Sequence, residues 1–385
     1  MIPYGRQDIS EEDIAEVVAI LHSDWITQGP AIERFERAIV EFTGCAHVIA
    51  MANATAALHL SMISLDLGPG DTLWTSPNTF VATANAALYC GATVDFVDID
   101  PSTYCMSVSA LREKLESAMA QSKKLPKVVA PVHFAGQSCD MRGIYELSRR
   151  FGFRIVEDAS HAIGADYLGR KVGSCAYSDI CVFSFHPVKI VTTGEGGAAT
   201  TNNPHIATRL RELRSHGITR DPGRMTDVCD SPWYYQMIDV GFNYRITDMQ
   251  AALGASQMKR LDGFVARRRQ LAKQYAEKLE GLAVVAPAQS LDGQSAFHLY
   301  PIQVSANWRR AIFGHMRSAG IGVNVHYIPV HTQPVYQKLG FCAGDYPNAE
   351  MYYSRALSLP MFSKMTDAEQ DRVVSTLAWA LKEGP

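Results

Sequence analysis

From Cys45 to about Thr201 the chain alternates short, strand-like runs rich in apolar residues with longer stretches whose apolar residues recur at helical spacing. "HVIAM" leads into "TAALHLSMISL", "TLWTS" into "FVATANAALYC", and "TVDFVDI" into "SALREKLESAMAQ". "KVVAPVHF", "FRIVEDAS" and "DICVFSF" follow, each giving way to polar residues or glycine. Short runs without polar alternation read as strands buried on both faces. With helices between them they predict an α/β fold: a mostly parallel sheet covered by helices. Ligands of such sheets bind beyond the carboxyl ends of the strands, so those ends are where chemistry is expected.

Beyond this block the pattern changes. Residues 215–240 are irregular and aromatic-rich, which suits a functional loop better than a packed element. A helical stretch then runs from Thr247 to about Leu282, with Thr247 as its N-cap and Gln250 three residues on. "HLYPIQV" and "GVNVHYIPV" look like strands, and an amphipathic helix follows Thr366. The expected division is a large domain over 1–255, N-terminal arm and helix included, and a smaller C-terminal α/β domain over 256–385.

Of the 385 residues 47% are hydrophobic and 19% charged, ample for a core, and the net charge is −3. Such a balance carries no electrostatic footprint for nucleic acid or an anionic membrane, so small molecules or protein are the expected partners. The apolar runs are too short to span a bilayer, and "MIPYGRQDISEED" has no apolar signal core. None of the eight cysteines (45, 90, 105, 139, 175, 181, 229 and 342) forms a CxxC pair. They read as buried thiols of a reducing cytoplasm, and no metal site is expected.

The strand ends hold the candidate chemistry. Ala52, Asn53, Ala54 and Thr55 stand at a strand-to-helix turn, where free N–H groups make an anion site; an ordinary Asn/Thr cap is the alternative. Phe80 follows another strand, as a plate for a flat ring or as core. Glu157 and Asp158 end a buried strand, where a carboxylate needs a partner unless it caps the next helix. Lys189 comes two residues after Pro187, with Ser184 and His186 on the same run and a "TGEGG" turn beyond it. A lysine near an anion site, an aromatic plate and a buried carboxylate fits a Schiff base to an aromatic aldehyde that bears a phosphate, which is pyridoxal 5′-phosphate.

These motifs resemble, over essentially the whole chain, the DegT/DnrJ family of sugar aminotransferases: "WITQGP", "NATAALHL", "TFVATANA", "VEDASHAIGA", "FSFHPVKIVTTGEGG", "GFNYRITDMQAALG" and "VHYIPVHTQP". "SDWITQGP", the Ala of "NATAAL", the His of "EDASHA" and "FHPVK" resemble most the branch that aminates UDP-4-keto-6-deoxy-L-AltNAc on the route to pseudaminic acid. The resemblance implies a fold-type I pyridoxal-phosphate enzyme with a seven-stranded sheet. It implies glutamate as amino donor and a nucleotide-linked keto-sugar as acceptor, whether UDP-, GDP- or dTDP-linked, aminated at C4 or C3.

By the same resemblance Lys189 would bond the cofactor and move the proton, and Asp158 would pair with the pyridine nitrogen. Phe80 would stack on the ring, and Ser184 with the Ala54–Thr55 turn would hold the phosphate. Asn243 would reach the phosphate of a neighbouring subunit, making a homodimer the working unit. Tyr4, Asp24, Trp25, Ile26, Thr27, His326 and Tyr327 would line the sugar-nucleotide site, with Arg6, Arg220 and Arg224 as nearby cations. His161 stands where many members have Gln; it would hydrogen-bond the phenolic oxygen, and its protonation matters. His186 has a position and no role.

Related dehydratases carry histidine in place of Lys189. A nicotinamide oxidoreductase would need a GxGxxG after a strand, and a non-catalytic regulator a basic DNA-binding segment; the chain shows neither.

Overall fold

The computed structural model describes residues 1–228 and 231–383. Seven strands form the central sheet: β1 His47–Met51, β2 Thr72–Thr75, β3 Thr93–Phe96, β4 Val128–Ala130, β5 Arg154–Asp158, β6 Ile180–Ser184 and β7 Gly197–Thr201. Their order is β1-β7-β6-β5-β4-β2-β3. Strands β3, β2, β4, β5 and β6 pair in parallel, and β7 alone runs against both its neighbours. The fold is therefore α/β with a mostly parallel seven-stranded sheet.

Alternation along each strand sends side chains into two separate cores. Ile49 and Met51 join the core that also holds Val182 and Ala199, while Val48 and Ala50 join the one with Cys181, Phe183 and Ala198. The turn before β7 fixes the edge that matters. Gly194 adopts φ +80°, the chain reverses, and Gly197 comes to lie opposite both Ser184 and Met51. The carboxyl ends of β1 and β6 thus flank the start of β7.

Helices cover the sheet, among them α1 Glu11–Leu21, α2 Pro30–Thr43, α3 Ala54–Ser64, α4 Val81–Tyr89, α5 Val108–Ala120, α6 Met141–Phe151 and α7 Pro204–Arg214. The long helix expected from Thr247 is two helices, α8 Asp248–Met258 and α9 Leu261–Lys278. Its start is as expected, with a Thr247–Gln250 capping box. It breaks at Arg260, whose backbone leaves the helix (φ −106°, ψ 1°) while its guanidinium holds Asp8 and Asp13. Neither glycine nor proline marks that break.

A third core gathers Ile2, Leu271, Tyr275, Tyr300, Ile302, Met316 and Leu377, so the N-terminal arm packs with the C-terminal elements. Its hairpin is β8 Tyr300–Gln303 with β9 Ala356–Leu359. "HLYPIQV" supplies β8, but "GVNVHYIPV" forms no strand: its one backbone bridge to β9 joins Asn324 to Ser358, and it then turns away as irregular chain. Asn324, His326 and Tyr327 from this stretch line a cavity.

Residues 215–228 and 231–240 are irregular apart from a two-residue ladder, Ile218–Thr219 with Gln236–Met237. Cys229 lies outside the described residues. Of the other cysteines, five are buried and Cys90 is half-buried, while Cys342 is exposed on a turn, against the buried reading. No helix among the described residues is long and apolar enough to cross a membrane.

Candidate active site

A cavity of about 650 Å³ opens beyond the carboxyl ends of β5 and β6 and the start of α3. Asn53 caps α3, accepting the Ala56 N–H at 2.8 Å. The next N–H groups, of Ala54 and Thr55, have no intrahelical partner at a helix start, and both residues line the cavity. Cap and anion site are thus the same turn. Gly197 allows the approach: a Cβ there would stand 2.4–2.6 Å from the Asn53–Ala54 backbone.

The two acids at the end of β5 divide their work. Glu157 faces inward to His133, whose Nδ1 accepts the Cys139 N–H at 3.1 Å; its proton is therefore on Nε2, donated to Glu157 at 2.6 Å. The Ser178 hydroxyl satisfies the other Glu157 oxygen. Asp158 turns to the cavity instead. Its Oδ2 accepts the Thr83 hydroxyl at 2.6 Å and its Oδ1 the Ser160 N–H at 3.0 Å, which fixes the carboxylate and leaves lone pairs free.

Lys189 stands across from it on a tight turn, its N–H donating to the His186 carbonyl at 2.8 Å. Burial pulls its ammonium down to about 8, against an opposing pull from Asp158. Ser184 ends β6 beside it, and His186 lies exposed on the same wall. Phe80 lines the cavity with 60% of its surface exposed, so it is a plate over open space and no core residue.

The opposite wall is irregular chain. The Tyr327 hydroxyl meets His161 Nε2 at 3.0 Å, and the two rings stack at 19°. Burial, with Lys189 and His326 nearby, holds the His161 pKa well below its ordinary value, so the ring is neutral; its Nδ1 is buried without a partner. His326 bonds Ser358 at 2.9 Å, and burial with Lys189 takes it down to about 4. Tyr4 of the N-terminal arm lies 5.6 Å from the His326 ring.

The cavity brings together Tyr4, Ala54, Thr55, Phe80, Asp158, His161, Ser184, Lys189, His326 and Tyr327. It does not include Asp24, Trp25, Ile26 or Thr27, which are exposed beside the start of α8, nor Asn243, which is exposed and bridged to Ser215. Arg6, Arg220 and Arg224 do not line it either; Arg224 pairs with Glu212 at 2.8 Å. Sequence reasoning missed Thr83, which lies three residues after Phe80 and hence one helical turn along. It also missed Ser160, Asn324 and Glu195 on the lining.

The chain matches the DegT/DnrJ/EryC1/StrS aminotransferase family over residues 7–378. The spore coat polysaccharide biosynthesis protein SpsC of Bacillus subtilis is 38% identical, over 98% of this chain and 96% of its own. The putative sugar aminotransferase Spr1654 from Streptococcus pneumoniae, in its PMP-form, superposes with a TM-score of 0.90 at 30% identity over all of both chains, and a PLP-form has also been solved. Helicobacter pylori PseC, an aminotransferase involved in pseudaminic acid biosynthesis, superposes at 0.90 with 28% identity over 99% of each chain. The cofactor is pyridoxal phosphate. The cavity fits it: a lysine with a depressed ammonium, a fixed carboxylate, an exposed phenyl plate, a glycine-bared helix start and an unpartnered imidazole nitrogen all face one space or border it.

Proposed function

The chain belongs to the DegT/DnrJ/EryC1/StrS aminotransferase family, and on that footing we propose that it aminates a nucleotide-linked 4-keto-6-deoxy sugar at C4, with glutamate as donor. The proposed acceptor is UDP-4-keto-6-deoxy-L-AltNAc, as for a pseudaminic acid-type surface glycan. The likeness to PseC and the "FHPVK" run support that choice. The observation that carries the reaction class is Lys189, its ammonium near 8, facing Asp158 across the cavity beside the α3 start.

Ser184 and the Ala54–Thr55 N–H groups would hold the phosphate, and Phe80 one face of the ring, with neutral His161 beside the ring. When bound, pyridoxal phosphate supplies the aldehyde that carries the amino group and the ring that takes up the electron pair as a substrate C–H bond breaks. Asp158 would hold a proton on the ring nitrogen, and Thr83 and Ser160 keep its carboxylate aimed. Lys189 Nζ moves the proton off the donor carbon and, in the second half, onto the sugar carbon; an amine that titrates near 8 can both take and give it at cellular pH. Tyr4, His326 and Tyr327 close the sugar side against water.

Asn243 and residues 24–27 lie outside this cavity and are exposed, so in this reading they serve a neighbouring subunit's cavity in a homodimer. The division at 255/256 belongs to the same reading, with α9 bridging the second and third cores. A cytoplasmic location suits both substrates and the free thiols.

The test offers UDP-, GDP- and dTDP-linked keto-sugars with glutamate and identifies the product by mass spectrometry and NMR. The protein should be yellow, bleach with glutamate, and aminate the UDP-linked 4-keto sugar; a colourless protein that cannot be reconstituted would end the proposal. A second reading is another nucleotide keto-sugar, since SpsC, 38% identical over nearly the whole chain, is by its name a spore coat polysaccharide biosynthesis protein.

A further inference from the structure

His298 lies behind the cavity wall, outside the lining. It is 4% exposed, and its ring centroid is 4.5 Å from that of His161 at 43°. Neither ring has a partner for its Nδ1. A buried ring nitrogen without a partner costs about 1–3 kcal/mol, so an apolar residue would pack there at lower cost.

The backbone around His298 is held by unusual means. Phe297 adopts φ +48° and Ala135 φ +58°, both in a region non-glycine residues rarely enter. The two segments are laced by Ala296 N–H to the Gly136 carbonyl at 2.9 Å and Leu299 N–H to the Ala135 carbonyl at 3.3 Å. Gly136 makes that approach possible: a Cβ there would meet Phe297 N at 2.8 Å, His298 N at 2.9 Å and the His161 carbonyl at 3.0 Å. Arg268 is 1% exposed and has no carboxylate partner among the described residues. Its Nη1 donates to the carbonyls of Phe297 (3.1 Å), His298 (3.2 Å) and Met361 (3.1 Å). Met361 in turn donates to the Tyr4 carbonyl, so one buried cation ties His298 to the far wall.

We propose that His298 is a positioning residue for His161: its ring, fixed by Arg268 and the Ala135–Gly136 turn, is the floor that holds the His161 imidazole toward the cavity through ring contact. On the other side the Tyr327 hydroxyl takes His161 Nε2, so the imidazole is gripped between a floor and a hydrogen bond. The groups that bear on its charge are Lys189, His326, His298 with Arg268 behind it, and Asp158 across the cavity. Of these, Lys189 and His326 oppose its protonation, together with burial. The proposal rests on the reading of His161 as a cofactor neighbour only for its consequence in catalysis.

The experiment labels the full chain with 15N-histidine, without cofactor, and follows His161 by NMR from pH 5 to 8; its signals are assigned by their loss in His161→Gln. In the wild type His161 is expected to keep one tautomer and not to protonate. In His298→Ala, and in His298→Asn should the alanine variant not fold, water reaches the space the ring leaves, and His161 is expected to exchange tautomers and to protonate at a higher pH than in the wild type, while Lys189 and His326 still oppose its charge. His298→Phe, which restores a flat ring, should return the wild-type behaviour. With cofactor added, the alanine variant's visible spectrum should gain a pH transition in the same window. Wild-type His161 shifts in both the alanine and asparagine variants would overturn the proposal, as would a phenylalanine variant that titrates like the alanine one. The cofactor-free measurement stands whether or not the protein proves to be an aminotransferase.

Discussion

The two walls of the cavity are built by different physics. One is made of strand and helix ends: Asp158 and Ser184 end strands, while Asn53–Thr55, Phe80 and Lys189 follow strands, and an apolar run fixes where each strand stops. The other is irregular chain, residues 324–327, joined by Tyr4 from the opposite terminus and backed by His298. The first wall takes its geometry from the sheet and so presents its groups rigidly to one point. The second takes its geometry from long-range contacts, such as His326 on Ser358 and Tyr352 on the His326 carbonyl. A rigid wall suits the chemical step, and a tethered one suits recognition of the varied part of a substrate.

That contrast predicts where substitutions hurt. Lys189→Ala removes the amine on the rigid wall and should lower kcat by about 10⁴-fold or more, with loss of the yellow colour. Asp158→Asn should cost about 10²–10³-fold in kcat with a smaller change in glutamate KM, since the charge it stabilises grows toward the transition state. Its neighbour sharpens the point. Glu157→Gln should leave kcat in the wild-type range and lower stability by about 1–3 kcal/mol, read by denaturant unfolding, because it disturbs the buried His133 and Ser178 bonds. If both acids affected kcat alike, the division of the strand end would be wrong.

The same contrast explains what could be read from the chain alone. The sheet and its strand-end residues were legible because each strand is a local apolar run and each following turn is short. The roles within the "VEDAS" pair were not: alternation places Glu157 and Asp158 on opposite faces but does not say which face is the cavity. One N-terminal helix was expected where the chain forms two, α1 and α2; the break at Arg260 went unread, being set by Asp8 and Asp13, about 250 residues away. "GVNVHYIPV" alternates like a strand, yet its polar residues line a cavity rather than face solvent. Asp24–Thr27 and Asn243 came from resemblance alone, and one chain's cavity does not contain them.

Tethered-wall substitutions should act more gently. Gly197→Ala, still on the rigid side, forces a Cβ against the Asn53–Ala54 backbone and should weaken cofactor binding about tenfold, with about 1–3 kcal/mol lost in stability; equilibrium dialysis and unfolding read the two effects. Tyr327→Phe removes one hydrogen bond to a neutral imidazole, worth about 1 kcal/mol, and should raise the sugar KM by up to about fivefold while kcat holds. A kcat loss as large as that of Asp158→Asn would put Tyr327 on the chemical side after all.

The smallest effect tests the electrostatics between the two groups that face each other. Burial lowers the Lys189 ammonium to about 8, and the Asp158 charge works in the opposite sense, holding it higher than burial alone would. Below pH 8 the free-amine fraction therefore falls about tenfold per unit, whereas an ordinary lysine would reach half only near 10.4. Trace acetylation of the cofactor-free chain, with Lys189 followed by peptide mass spectrometry, reads that fraction directly. Its midpoint should lie near 8 in the wild type. In Asp158→Asn the supporting charge is gone and burial remains, so the midpoint should move down, and Lys189 should become more reactive at pH 7 even as turnover collapses. A midpoint that rises, or that stays near 10, would mean that Lys189 is solvated in the free chain and that the wall is less closed than its burial implies.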